Sequence, residues 1–138
     1  MIALAAFALA IGSAGCNAKK TYPATVEGSA KLIKVYLQDV GSPATLTGNS
    51  AFIEREIVGH RYWVAKAFMN NWTVGGTNYG SLVVGVVISP EDKSADGEKV
   101  FFRFMTIEDF NVFLKTGNRD LLQIPDLNVT EGECATTL

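Results

Sequence analysis

The pattern of apolar and polar positions is clearest in the second half of the chain, where it predicts a β-hairpin. Residues 82–88 form a continuous apolar run rich in valine, which is typical of a strand buried on both faces. Residues 99–105 form a second, mostly apolar segment, separated from the first by the polar segment 89–98. This spacing predicts two antiparallel strands joined by a loop.

A helix is predicted directly after this hairpin. Thr106 with Asp109 three residues later resembles a capping box, which marks a helix start. Gly117 stands where a helix commonly ends on a glycine. Three apolar residues recur between these limits at helical spacing: Phe110, Phe113 and Leu114.

The first half of the chain is less regular. Residues 30–40 fit both a helical and an alternating period, and Ser29 as an N-cap with Gly41 beyond the end favours a helix. Residues 53–57 suggest a short helical segment, whereas the aromatic and β-branched residues of 62–69 suggest a strand. The Gly- and Asn-rich residues 75–80 indicate a long turn.

These elements together predict an α+β domain. We expect an antiparallel sheet of three or more strands with helices packed on one face. Because the run at 82–88 has no polar face, the second face of the sheet should also be covered, by a helix or by a partner. A chain of 138 residues suits one such domain.

The N-terminal region indicates export. Residues 2–11 are all apolar, too few for a bilayer-spanning helix of roughly 20 residues but typical of the hydrophobic region of a secretory signal. Small residues follow at 12–15, as a cleavage site requires. We therefore predict a signal at residues 1–15, a tether at 16–28 and a single globular domain at 29–138, in a bacterial cell envelope or secreted from it.

The segment Ser13-Ala14-Gly15-Cys16 resembles the lipobox of bacterial lipoproteins. This resemblance implies cleavage before Cys16 and a lipid on its thiol, so the protein would be anchored to a membrane. An ordinary signal peptidase could also cut between these small residues. Cys16 would then be free to form a disulfide with Cys134, the second of the two cysteines.

Composition and motif searches exclude several functions. The formal net charge is −2 with no basic block, which argues against a nucleic-acid partner. His60 is the single histidine, and the two cysteines are far apart in sequence, so neither a zinc site nor a cysteine nucleophile is predicted. No phosphate-binding glycine loop or serine-hydrolase motif occurs. We predict no cofactor, no metal and no catalytic residue.

The candidate contact residues are aromatic. Trp63, Trp72 and Tyr79 lie on or beside the Asn- and Gly-rich turn, where exposed rings can stack on a sugar or pack against a partner protein. The alternative is that Trp63 and Trp72 close the edge of the core. The sequence therefore favours a non-enzymatic binding or assembly module whose partner is an envelope protein or a glycan.

Two other functions stay open. A structural subunit could retain the apolar segment 1–15 inside a filament or membrane complex. A small hydrolase could use His60 as a general base with Glu54 or Glu56.

Overall fold

The computed structural model describes residues 22–93, 95, 99–122 and 129–130. The predicted signal at 1–15 lies outside these residues, as do Cys16 and Cys134. The described ranges form helices α1 (Val26–Asp39) and α2 (Ile107–Thr116), a 3-10 helix (Arg119–Leu122), and strands β1 (Thr45–Asn49), β2 (Ile53–Ile57), β3 (His60–Asn70), β4 (Thr73–Val74), β5 (Thr77–Asn78), β6 (Leu82–Lys93), β7 (Lys99–Thr106) and β8 (Val129–Thr130).

The main sheet is antiparallel and confirms the predicted α+β class. Its strand order is β1–β3–β6–β7–β8. Strand β2 lies on the same edge of β3 as β1, and β1 pairs with residues 67–70 of β3 whereas β2 pairs with residues 60–64. The predicted hairpin is β6–β7, in which Val86 lies opposite Phe104. Strand β6 continues to Lys93, so the loop of this hairpin is shorter than the polar segment 89–98 suggested.

The expected helical turn at 53–57 is wrong, because this segment is strand β2. It pairs with the first half of β3 through a tight hairpin at Val58 and Gly59, both of which have positive φ angles of 47° and 81°. In this segment only Ile57 is buried. The cross-strand hydrogen bonds with β3 therefore outweigh a local pattern that was too short to choose between helix and strand.

Residues 30–40 are helical apart from the last residue, but helix α1 begins earlier than Ser29. Its N-cap is Thr25, whose hydroxyl accepts a hydrogen bond of 3.0 Å from the Gly28 amide. Ser29 is buried inside the helix, where its hydroxyl accepts a 2.8 Å bond from the Phe52 amide. Ser29 thus ties α1 to the sheet, and the folded domain already includes Tyr22, which is 1% exposed.

The two helices pack on opposite faces of the sheet and not on one face as predicted, because the continuous apolar run of β6 has to be covered on both sides. On one face, α1 residues such as Tyr36 pack with residues of β3, β6 and β7, and Tyr36 stacks on Phe102 at 4.3 Å between ring centroids. On the other face, Phe110 and Phe113 of α2 pack with Tyr62 and other sheet residues. Alternate residues of β6 therefore enter two separate cores.

Helix α2 covers only part of its face of the sheet. It has 10 residues, and a helix rises about 1.5 Å per residue, so it spans about 15 Å. Its Phe110 ring lies over Gly85, in the middle of the sheet. Toward the start of β6 the face is open, and Phe68 of β3 is 54% exposed there.

Candidate functional site

A cavity of about 530 Å³ lies at the end of the sheet where β6 begins, between the β4–β5 hairpin and the start of α2. We name it the aromatic pocket, and it is lined by Trp72, Val74, Tyr79, Leu82, Val83, Thr106, Ile107 and Glu108. Its volume falls within the range of about 300–1,000 Å³ that is typical of small-ligand sites. Six of the eight lining residues are apolar or aromatic, so the pocket suits an apolar group.

One wall is the small β4–β5 hairpin, which turns at Gly75 and Gly76, both with positive φ angles. Two backbone hydrogen bonds close the hairpin at its base, next to the ends of β3 and β6. The Trp72 amide donates to the Gly80 carbonyl at 3.0 Å, and the Tyr79 amide donates to the Trp72 carbonyl at 2.6 Å. Trp72 and Tyr79 are therefore held by a closed turn on a rigid sheet.

The two rings differ in exposure. Trp72 is half-buried and packs edge-to-face on Phe104, with 5.5 Å between ring centroids and 74° between planes. Tyr79 is 58% exposed, and Val74 beside it is 54% exposed. The pocket thus has one anchored aromatic side chain and one exposed one, which can contact a ligand at low entropic cost.

The opposite wall is the first turn of α2. Thr106 is its N-cap, and its hydroxyl accepts a 3.1 Å hydrogen bond from the Asp109 amide. Together with the left-handed Gly117 at the other end, this confirms the predicted helix limits. Because Ile107 and Glu108 follow the cap directly, both line the pocket.

Trp63 does not lie in this pocket. It is 9% exposed and packs edge-to-face with Tyr22 at 6.1 Å between ring centroids. Strand β3 has a period of two, which points Trp63 toward the same core as Ala65 and Ala67. The structure therefore brings together two of the three predicted aromatic residues and places the third in the core.

Sequence reasoning missed the other six lining residues. Val74, Leu82 and Val83 looked like ordinary strand or turn residues, and Ile107 and Glu108 belong to a helix about 30 residues further along the chain. Only the helix start at Thr106 was visible as a local signal. Its position beside the hairpin follows from the pairing of Thr106 with Val84.

A polar cluster lies at the other end of β6, remote from the aromatic pocket. Asp92 accepts a 2.7 Å hydrogen bond from the Ser89 hydroxyl and forms an ion pair with Arg119. Arg119 also donates to the Tyr62 hydroxyl at 2.5 Å. This network joins the 3-10 helix to β3 and β6, so we assign it a structural role.

The pKa values of two acidic groups in this network are shifted in opposite directions. Burial raises the pKa of Asp92, but hydrogen bonds from Ser89 and Arg119 outweigh burial and hold that pKa below its usual value. Burial raises the pKa of Tyr62 above its usual value despite the neighbouring Arg119 guanidinium. At neutral pH Asp92 is therefore charged and Tyr62 is neutral.

His60 lies near this network but not near the residues expected to activate it. Its Nδ1 is 3.1 Å from the Glu91 Oε1 in an exposed pair, whereas Glu54 pairs with Arg61. The helical spacing that would have put Glu56 beside His60 does not exist, because Glu56 lies in strand β2. His60 also does not line the aromatic pocket.

Two further observations concern the described residues only. No three His, Cys, Asp or Glu side chains among them form a group that could hold a metal ion. Neither α1 nor α2 has the length and apolar character that a bilayer crossing needs.

Comparison of the chain with protein-family models, curated proteins and solved structures finds no match.

Proposed function

We propose that this protein is an exported, non-enzymatic binding or assembly module that uses the aromatic pocket to contact a partner in a bacterial envelope. The observation that carries the proposal is the pocket itself, in which Trp72 and Tyr79 form part of an apolar cavity of about 530 Å³. Among the residues that the structure describes, the lining contains one carboxylate, Glu108, and no histidine, cysteine or lysine. An apolar cavity with a few polar groups is the usual form of a binding site.

The lining favours a protein partner over a glycan. Besides the polar atoms of the two aromatic side chains, the lining side chains offer only the Thr106 hydroxyl and the Glu108 carboxylate. The Thr106 hydroxyl already accepts the capping hydrogen bond from Asp109. A sugar that loses water on binding needs more hydrogen-bonding groups than this, whereas an apolar protein side chain does not.

Photo-crosslinking in the host tests the proposal. We would replace Tyr79 with p-benzoylphenylalanine and irradiate cells of the native host. We expect one dominant adduct of higher mass, because the exposed ring at this position should touch the partner. The adduct should fall at least 5-fold when Trp72→Ala is added, since removing an aromatic anchor from an interface costs about 1 kcal/mol of binding or more.

The matched control places the same photoreactive residue at Val112, which is 46% exposed on α2 and does not line the pocket. Val112 should give no dominant adduct. Thermal unfolding must show that the Trp72→Ala variant is folded at the growth temperature, because Trp72 packs on Phe104. Equal crosslinking from Tyr79 and Val112, or an adduct that Trp72→Ala leaves unchanged, would contradict the proposal.

The membrane anchor is a separate part of the proposal and rests on the lipobox-like segment that ends at Cys16. We expect the intact mass of the protein, purified from host membranes, to correspond to a chain that starts at Cys16 and carries acyl groups. An unmodified chain starting near Cys16 and two hydrogens lighter would instead indicate a disulfide with Cys134. A mass that includes residues 1–15 would favour the embedded structural subunit.

A further inference from the structure

The aromatic pocket has an uneven charge distribution. Glu108 is the one charged side chain among its lining residues, and it is exposed at the rim. Asp109, also exposed, follows it in the first turn of α2. Within the described part of the chain, no lysine or arginine lines the pocket. A ligand bound there therefore meets an apolar interior and a negative rim.

We propose that the pocket binds a peptide segment of its partner in which an aromatic or large aliphatic residue is accompanied by a lysine or arginine. The apolar side chain enters between Trp72 and Ile107, and the basic side chain pairs with Glu108. The aromatic rings of the pocket also attract a cation that lies over their faces. This inference rests on the proposed function and specifies the chemistry of the partner.

The surface next to the pocket favours a peptide over a compact small molecule. A second cavity of about 290 Å³ adjoins it and shares Leu82 and Val83 with it. Phe68, which is 54% exposed, and Thr47 also line this second cavity. Because the two cavities share these lining residues, an extended segment that fills the first can place a following side chain in the second.

Glu108 also has an ordinary structural role, and the chain offers a control for it. An acidic residue in the first turn of a helix stabilises the helix through its dipole. Glu27 occupies the same position in α1, two residues after the N-cap Thr25, as Glu108 does after Thr106. Glu27→Gln and Glu108→Gln should therefore lower helix stability by similar amounts, while only Glu108→Gln should change binding.

The test is selection from a random dodecapeptide library displayed on phage, with the purified full-length chain immobilised. Peptides selected by the wild type should contain Lys or Arg at a fixed spacing from an aromatic or large aliphatic residue. A Glu108→Lys variant should select Asp or Glu at that position instead. A synthetic selected peptide should bind Glu108→Gln about 3- to 5-fold more weakly than wild type or Glu27→Gln, as expected for an exposed charge pair.

The pairing itself is checked by replacing the basic residue of the synthetic peptide with norleucine. This change should weaken binding to the wild type by the same factor and leave binding to Glu108→Gln unchanged. Selected peptides that are apolar without an enriched basic residue would overturn the inference but leave the proposed function intact. If the wild type selects no more peptides than a Trp72→Ala/Tyr79→Ala double variant does, the peptide assignment is overturned. Crosslinking at Tyr79 would then decide the proposed function alone.

Discussion

Replacing Gly85 with alanine is expected to destabilise the fold by about 3 kcal/mol, at the upper end of the range for overpacked cores. Gly85 lies at the centre of the sheet, between Lys66 of β3 and Met105 of β7. A Cβ atom at this position would stand 2.2 Å from Cγ and 2.5 Å from Cβ of Phe110. Because these atoms are next to the backbone of α2, rotating the Phe110 ring cannot relieve the clash, and the helix must move away.

Urea unfolding followed by circular dichroism measures this effect. Gly48→Ala is the matched control, because a Cβ at Gly48 of β1 meets only Phe68 Cδ2 at an ordinary distance of 3.7 Å. It should change stability by less than about 0.5 kcal/mol. In a Phe110→Gly background, Gly85→Ala should cost much less than in the wild type, since both the ring and the Cβ of residue 110 are absent. A neutral Gly85→Ala variant would show that α2 does not rest on Gly85.

Stability is expected to fall at both ends of the pH scale, because folding lowers the pKa of Asp92 and raises that of Tyr62. The pKa of Asp92 is lowered in the fold, so its contribution is complete above its unfolded value, near pH 4, and is lost as the pH falls further. The pKa of Tyr62 is raised, so folding favours the neutral phenol, and stability decreases as the pH rises above about 10. Between these limits the network should be insensitive to pH.

Chemical denaturation from pH 2 to pH 11 checks this profile. Asp92→Asn should lower stability at pH 7 by about 1–2 kcal/mol, since it removes a charge-assisted hydrogen bond to Arg119, and should flatten the acidic limb. Glu54→Gln is the control, because its pair with Arg61 is exposed and should contribute little. An acidic limb that is as steep in Asp92→Asn as in the wild type would assign the acid sensitivity to other carboxylates.

Local sequence patterns were sufficient to predict a helix or strand where the segment is long or carries its own caps. The β6–β7 hairpin and helix α2 could be predicted because their apolar runs, the Thr106 cap and Gly117 are all local features. The strand at 53–57 could not be predicted, since five residues do not define a period and its strand form depends on hydrogen bonds with β3. Ser29 was misassigned for a similar reason, because its partners Pro23 and Phe52 lie outside the helix.

The candidate site was predictable only in part. A turn rich in Asn, Gly and aromatic residues indicated that Trp72 and Tyr79 would be available for contact. Whether Trp63 joins them or closes the edge of the core could not be decided locally, because its burial follows from its position on β3 and its packing on Tyr22. Glu108 and Ile107 join the pocket because β6 and β7 bring the start of α2 beside the β4–β5 hairpin.

The sequence by itself determined the α+β class, the central hairpin and the limits of the last long helix, because periodicity and caps act over a few residues. Only the tertiary structure decided that α1 and α2 cover opposite faces of the sheet. It also decided that α2 is too short to cover its face fully and that a pocket lies at the uncovered end. These features depend on strand pairing between distant segments, which no local pattern encodes.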